Sequence, residues 1–136
     1  MLPFRVLLIT DDDACAIAGR GVIETIARAL LPSAKGAAVL VRMKHASVDD
    51  VARRCVAVSS IGKRAGALVL VHTHAQLVAP LDLDGAHVAD GAHVDEARIA
   101  MPATKLLGAS RHRGSGADGG LDYVTRSAIF RPTSKQ

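Results

Sequence analysis

Short runs of apolar residues recur along the chain, separated by stretches with a helical pattern. Each run is rich in Val, Leu and Ile, which is typical of parallel strands buried on both faces. The six predicted strands are Arg5–Thr10, Ala37–Arg42, Ala67–His72, Gly85–Val88, Lys105–Ala109 and Tyr123–Phe130.

Between these runs the apolar positions follow a helical period. The clearest helices are predicted over Val22–Leu31 and Val48–Ala65. The second is preceded by Ser47, a favourable N-cap, and carries Asp49 and Asp50 in its first turn, where acidic side chains interact well with the helix dipole. Strands and helices therefore alternate along the chain.

Repeated βα units build either an open doubly wound sheet or a barrel. No Gly-x-Gly-x-x-Gly follows the first strand, so a dinucleotide-binding fold lacks its main motif. A complete barrel has about eight strands and usually 200 or more residues, whereas this chain has 136. We expect one domain over residues 1–136 with the α/β fold of an incomplete TIM-type (β/α) barrel, about six of the eight βα units. The Gly-rich stretch 113–120 is expected to be a loop.

Composition and charge limit the fold class and the kinds of binding partner that we expect. Hydrophobic residues make up 49% of the chain and aromatic residues only 2%, which favours aliphatic α/β layers over a β-sandwich. The net charge is +4, but the Lys and Arg residues are scattered, whereas nucleic-acid binding uses a basic stripe with stacking aromatics. We expect a phosphorylated small-molecule substrate and no nucleic acid.

The cysteines and the N-terminus bear on the cellular compartment. Cys15 and Cys55 lie far apart in apolar helical segments, which indicates buried, reduced thiols of a cytosolic protein. The first apolar run is too short for a signal peptide or a membrane span, and acidic residues follow it at once. We expect a cytoplasmic protein without a membrane partner.

Polar residues follow several strands, at the face where βα barrels carry their functional groups. Arg42 and Lys44 lie two apart at a predicted strand end, so their side chains would point the same way and could hold a diphosphate, with a plain surface pair as the alternative. His72 and His74 are expected to share one face of a strand, a spacing compatible with zinc or another transition metal, although such pairs often only end a strand. His87 follows on the next predicted strand.

Ser110 and His112 end the fifth predicted strand and bring a hydroxyl and an imidazole to the mouth of the barrel. A histidine with a near-neutral pKa can move protons at physiological pH. A purely structural histidine is the alternative interpretation.

Taken in order, these positions resemble the thiamine phosphate synthase and thiazole tautomerase family across nearly the whole chain. No single piece is specific, but their order and spacing agree with the family. The matching pieces are Leu8-Ile9-Thr10-Asp11, Arg42-Met43-Lys44, Asp84-Gly85-Ala86-His87-Val88, Leu107-Gly108-Ala109-Ser110-Arg111-His112, Asp122-Tyr123-Val124, Ile129-Phe130 and Ser134-Lys135.

For a synthase, the resemblance implies that an aminopyrimidine diphosphate ionises with the help of magnesium and that the nitrogen of a thiazole phosphate captures the cation. The family's magnesium carboxylates would fall at Thr73 and Ala92, neither of which can supply one. Leu40 stands where the family has a Gln that contacts the substrate. No cofactor is therefore firmly implied, and magnesium stays an open alternative, with Thr73 and Ala92 at the family's ligand positions.

For a tautomerase, the resemblance implies magnesium-independent proton movement on a thiazole phosphate carboxylate. Its proton-carrying histidine matches His112, so a tautomerase-like role is the favoured hypothesis, with His112 and Ser110 as the catalytic residues. The residues expected to bind the substrate are Arg42, Lys44, His72, His87 and Lys135.

Two alternatives remain open at this point. The chain could be a non-catalytic relative that binds a ligand or a partner, since an incomplete barrel exposes two sheet edges; self-association into a homo-oligomer is expected for the same reason. A metal-dependent hydrolase built around His72 and His74 is the other alternative.

Overall fold

The computed structural model describes residues 2–17, 19, 21–30, 33–89, 93–112 and 119–126. The strands are β1 (Val6–Ile9), β2 (Ala37–Val41), β3 (Leu68–His72), β4 (Gly85–Val88), β5 (Leu106–Arg111) and β6 (Tyr123–Arg126). The helices are α1 (Asp12–Ile17), α2 (Val22–Ala29), α3 (Val48–Ala65) and α4 (Val94–Ile99), with one 3-10 turn at Ala75–Leu77.

The six strands form one parallel sheet in the order β1-β2-β3-β4-β5-β6. A doubly wound sheet reverses its strand order at a switch point, whereas this order runs in a single direction. Right-handed connections then place the helices on one face of the sheet. The expected incomplete TIM-type (β/α) barrel is confirmed.

The sheet curls strongly. In a flat sheet, five strand spacings of about 4.8 Å would separate β1 from β6 by roughly 24 Å. Phe4, just before β1, nevertheless meets Tyr123 of β6 edge to face, with ring centroids 5.2 Å apart at 88°. The face away from the helices is therefore concave, and its apolar floor consists of Phe4, Ala38, Leu40, Leu70 and Tyr123.

The larger apolar layer lies between the sheet and the helices. Alternate residues of the strands, such as Val39 and Val41 of β2, pack there against the helices. Helix α3 contributes Val51, Cys55 and Val58 to this layer. Cys55 is buried as expected, whereas Cys15 is only partly buried. Burial raises the pKa of Cys55 to about 11, so this thiol stays protonated.

Helix α3 has the predicted bounds because both of its ends are specified locally. The Ser47 hydroxyl accepts a hydrogen bond from the Asp50 amide at 3.1 Å, which satisfies one of the unpaired donors of the first turn. At the other end Gly66 adopts a left-handed conformation, with φ at 81°, which ends the helix at little steric cost.

Most of the other elements match the sequence expectations less closely. Strand β4 has the predicted bounds, but β2 ends at Val41 and β5 continues to Arg111. The short helix α1 was predicted only as a helical segment around Cys15, without bounds, and α4 was not predicted. Part of two predictions, the end of the sixth strand and residues 113–118 of the expected loop, lies outside the described residues.

Two aspartates join neighbouring strands at their amino ends. The Val69 amide donates to Asp84 Oδ2 at 2.8 Å, and the Asp84 amide donates back to the Val69 carbonyl at 2.9 Å. Asp122 and Leu107 make the same reciprocal pair at 2.8 Å in both directions. Both aspartates therefore have structural roles, far from the carboxyl ends of the strands.

Among the described helices, none combines the length and apolarity needed to cross a membrane.

Candidate functional site

A row of residues crosses the concave face near the carboxyl ends of the strands. Strand register places His72 of β3 beside His87 of β4, His87 beside Gly108 of β5, and Gly108 beside Tyr123 of β6. The two imidazoles stack, with ring centroids 6.2 Å apart at 26°. Ser110 and Thr125 are paired one layer closer to the carboxyl edge.

His87 lies at the centre of this row and bonds through both ring nitrogens. Its Nδ1 is 2.9 Å from the Tyr123 hydroxyl, and its Nε2 is 2.9 Å from Ser110 Oγ. The Thr125 hydroxyl donates to Ser110 Oγ over a longer distance of 3.4 Å. His87 is only 2% exposed, so these contacts replace the hydration that its ring loses.

Glycine at position 108 makes the contact between His87 and Tyr123 feasible. Gly108 lies between them in register, and a Cβ atom added there would stand 2.0 Å from Cζ of the Tyr123 ring. The ring thus occupies the space over β5 that a side chain would fill. Removing one side chain from the row lets residues two strands apart form a hydrogen bond.

The electrostatics of the row keep its imidazoles neutral. Burial lowers the pKa of His87 from 6.5 to about 4, with a smaller contribution from His72. Burial also lowers the pKa of His72, and the Arg42 guanidinium and the His74 imidazole lower it further. Because neighbouring positive charges lower the pKa of a base, the potential beside His72 is positive and favours an anion.

Thr73 ends β3 in an unusual conformation. Its φ is 72°, in the left-handed region that β-branched residues rarely adopt. Its amide donates to the His87 carbonyl at 2.9 Å, and its Oγ1 is 2.9 Å from His72 Nδ1. The chain therefore leaves the strand at Thr73, and the expectation that His72 and His74 share one strand face is wrong.

The same correction applies to Arg42 and Lys44. Strand β2 ends at Val41, so both residues lie in the following loop and strand spacing does not set their relative directions. The Arg42 amide donates to the Thr10 hydroxyl at 2.9 Å, and this hydroxyl donates to the Arg42 carbonyl at 2.9 Å. Thr10 therefore fixes the backbone at Arg42, while Lys44 is exposed.

Asp12, one of the acidic residues that follow β1, also makes a structural contact. Asp12 begins α1 and forms a two-bond ion pair with Arg54 of α3, at 2.9 and 3.0 Å. This pair ties the first helix to the third. Asp12 therefore belongs to helix packing and not to the row of histidines.

Strand β5 separates the remaining candidates by its alternation. Ser110 faces the concave side with Gly108, whereas Arg111 is buried at 6% exposure and His112 is exposed directly after the strand. Lys135, Ala92 and Ser134 lie outside the described residues. The structure therefore brings together His72, His87 and Ser110 of the predicted site residues.

A cleft of about 430 Å³ opens at the same edge of the sheet. It lies between the residues that follow β3 and β4 and the start of α4, and its polar lining comprises Thr73, Gln76, His93 and Glu96. This volume is within the range of ligand pockets, about 300–1,000 Å³. Ala75, Val88 and Ala97 of the layer between the sheet and the helices also line this cleft. It therefore lies on the helix side of the sheet and adjoins the histidine row only through Thr73.

Comparison with known proteins gives the family. A family model described as thiamine monophosphate synthase matches residues 6–136. The chain belongs to the thiamine monophosphate synthase family.

Two relatives illustrate how much of the family fold is present. The chain is 30% identical over 117 residues to a thiamine-phosphate synthase of Methylobacillus flagellatus, covering 82% of this chain and 56% of the relative. It superposes on a thiamine phosphate pyrophosphorylase from Pyrococcus furiosus with a TM-score of 0.78 at 20% identity, covering 97% of this chain and 63% of the other. The chain therefore spans less than two thirds of the length of either relative.

The magnesium positions implied by the family resemblance do not fit that ion here. Magnesium prefers carboxylate and water oxygens in octahedral geometry, but Thr73 offers a hydroxyl that lies against His72. Within the described ranges, no group of three or more His, Cys, Asp or Glu side chains could hold a metal ion. The described residues therefore suit neither magnesium nor the metal site considered for His72 and His74.

Two members of the site, Tyr123 and Thr125, were not predicted as site residues. In the sequence, Tyr123 belongs to an apolar strand and to the family-like piece Asp122-Tyr123-Val124. Its contact with His87 depends on the register of β4, β5 and β6. A glycine at the centre of a strand is the one sequence signal, because it often marks a close approach. Gly108 is that glycine.

Proposed function

We propose that this member of the thiamine monophosphate synthase family binds a phosphorylated thiazole at the carboxyl edge of its concave face and moves a proton on it, as a thiazole tautomerase does. The observation that carries the proposal is the buried, neutral His87, hydrogen-bonded to Ser110 beside a region of positive potential. Fixed polar groups of this kind orient a ligand in an otherwise apolar pocket.

The anionic part of the ligand is assigned to the basic side of the row. Arg42 acts on His72 electrostatically, and its guanidinium can form two parallel hydrogen bonds to a phosphate or a carboxylate. Lys44 is exposed in the same loop. We assign phosphate binding to Arg42, Lys44 and His72, with Lys135 as a further predicted contact from outside the described residues.

The proton-transfer role falls to His112 and not to His87. A general acid or base works best when its pKa lies near the operating pH, and the pKa of His87 is about 4. His87 therefore binds the ligand as a neutral group. His112, exposed after β5, accepts the proton from one ligand atom and returns it to another, while Ser110 holds the ligand.

The replacement His112→Ala tests this assignment. Loss of a general acid or base typically slows a reaction by about 10²- to 10⁴-fold, so tautomerisation followed by NMR should slow by that order while ligand affinity changes little. His45→Asn is the matched control, since His45 is an exposed loop histidine whose φ of 61° an Asn tolerates. An unchanged rate in His112→Ala would remove His112 from the mechanism.

A second candidate function is ligand binding without turnover. The specific observation in its favour is Thr73, which stands where the family resemblance places a magnesium carboxylate and instead contacts His72. This alternative predicts that thiazole phosphate carboxylate binds but is not converted, and that aminopyrimidine diphosphate with magnesium yields no thiamine phosphate. Magnesium-dependent formation of thiamine phosphate would contradict both candidates.

A further inference from the structure

Tyr123 is held in one position by its neighbours. Its ring lies over Gly108, where an added Cβ atom would come within 2.0 Å of it, and Phe4 packs against it edge to face. The side chain is 8% exposed. Within the described part of the chain, its hydroxyl has one hydrogen-bond partner, His87 Nδ1 at 2.9 Å.

The protonation states of this pair leave two arrangements of hydrogens. Burial and the Asp122 charge raise the pKa of Tyr123 above its ordinary value, so its hydroxyl keeps its hydrogen. His87 is neutral at neutral pH and carries a single N–H, on either Nδ1 or Nε2. The hydrogen between Tyr123 and His87 comes either from the phenol or from Nδ1.

Counting donors separates the two arrangements. If the phenol donates to Nδ1, then Nε2–H donates to Ser110 Oγ. The hydrogens of Tyr123 and His87 then both have an acceptor. If Nδ1–H donates to the phenol oxygen, the buried phenol hydrogen has no acceptor among the described residues. An unsatisfied buried donor of this kind disfavours the second arrangement by about tenfold or more.

The first arrangement also fixes the role of Ser110. Ser110 Oγ then accepts from His87 Nε2 at 2.9 Å and, more weakly, from the Thr125 hydroxyl at 3.4 Å. Both of its lone pairs are engaged, so its own O–H points away from His87 and Thr125. In the second arrangement the Ser110 hydroxyl would donate this hydrogen to His87 Nε2.

We propose that Tyr123 is a positioning residue, which sets the Nε2–H form of His87 and thereby presents the Ser110 hydroxyl as a hydrogen-bond donor to an anionic ligand on the concave face. The ligand part of this inference rests on the proposed function, whereas the tautomer of His87 does not. Ser110 then acts as an anion contact, and neither as a nucleophile nor as a base.

The test is the protonated nitrogen of His87 in the ligand-free protein. Two-bond nitrogen–hydrogen correlation spectra of ¹⁵N-histidine-labelled protein distinguish the two tautomers, and the signals lost in His87→Gln assign the residue. The expected result is a single form with the proton on Nε2. A proton on Nδ1 overturns the proposal.

Two variants separate the contribution of the Tyr123 hydroxyl from that of the Tyr123 ring. Tyr123→Phe keeps the ring over Gly108 but removes the phenol hydrogen, so a second form with the proton on Nδ1 should become detectable. Phe4→Leu loosens the same ring and keeps the hydroxyl, so the wild-type form should persist. A Tyr123→Phe spectrum identical to that of the wild type overturns the positioning role.

Inorganic phosphate serves as the probe for the ligand part. Its affinity should fall about tenfold in Tyr123→Phe and stay near the wild-type value in Phe4→Leu. Unchanged phosphate affinity in Tyr123→Phe overturns the assigned role of Ser110. If the tautomer is as expected but thiazole phosphate carboxylate does not bind the wild-type protein, the proposed function fails and the inference about Tyr123 stands.

Discussion

At the residue scale, His87 links the site to the stability of the fold. Its pKa is about 4 in the folded chain, against an ordinary value of 6.5. Between these values the unfolded chain takes up a proton that the folded chain does not, so the stabilisation is complete above about pH 6.5 and is lost as the pH falls towards 4. The difference corresponds to up to about 3 kcal/mol.

The first prediction concerns the pH dependence of unfolding. Between pH 7 and 4, the free energy of unfolding of the wild type should fall by up to about 3 kcal/mol more than that of His87→Gln, which lacks the titrating ring. Urea denaturation at several pH values measures both. Equal losses in the two proteins would show that His87 is not the buried neutral base described above.

The sequence identified part of this site and missed the rest for a physical reason. His72, His87 and Ser110 were predicted to lie at one edge because parallel strands bring their carboxyl ends together there. The spacing of His72 and His74 misled because Thr73 turns the chain out of the strand, with φ at 72°. Local spacing describes only residues that remain in a regular element.

At the element scale, the pairing of β5 with β6 depends on Gly108. In Gly108→Ala the new Cβ would overlap the Tyr123 ring, which must move away from His87. Overpacking of a tight site typically costs about 1–3 kcal/mol, and we expect the free energy of unfolding to fall by that amount.

Gly119→Ala is the matched control for this prediction. An added Cβ atom at Gly119 meets no atom within 4 Å, so its effect should stay within about 0.5 kcal/mol. Thermal or urea denaturation of the two variants gives the comparison. Equal stability of Gly108→Ala and Gly119→Ala would contradict the close contact between β5 and Tyr123.

Elements were predictable from the sequence where their ends are specified locally. Helix α3 has 18 residues, a Ser47 cap and a Gly66 terminus, and its predicted bounds are confirmed. Helices α1 and α4 have only six residues each, too few for a helical period to emerge. Tertiary contacts such as the pair of Asp12 with Arg54 support short helices of this kind, so a local pattern does not set their bounds.

At the scale of the whole molecule, β1 is an edge of the described sheet and exposes apolar side chains. Val6 and Ile9 are 52% and 54% exposed. An apolar cleft of about 320 Å³ lies beside them, between β1 and α2. An exposed apolar edge strand is a template for pairing with another chain, so we expect the protein to self-associate as its concentration rises.

Ile9→Lys tests this expectation, because a lysine on an edge strand opposes pairing. Sedimentation velocity over a range of concentrations should show less association for Ile9→Lys than for the wild type. Val56→Lys on α3 is the matched control, since Val56 is 56% exposed and lies away from the edge. Equal association of both variants would show that β1 is not part of the interface.

The central claim is that the concave face binds a phosphorylated thiazole, and calorimetric titration with thiazole phosphate carboxylate tests it most directly. We predict saturable binding of one ligand per chain, weakened about tenfold or more in Arg42→Ala because a charge-assisted contact is lost. Arg53→Ala should bind as the wild type does, since Arg53 is exposed on α3 and pairs with Asp50. Absence of binding to the wild-type protein, or equal affinities of the Arg42 and Arg53 variants, would contradict the claim.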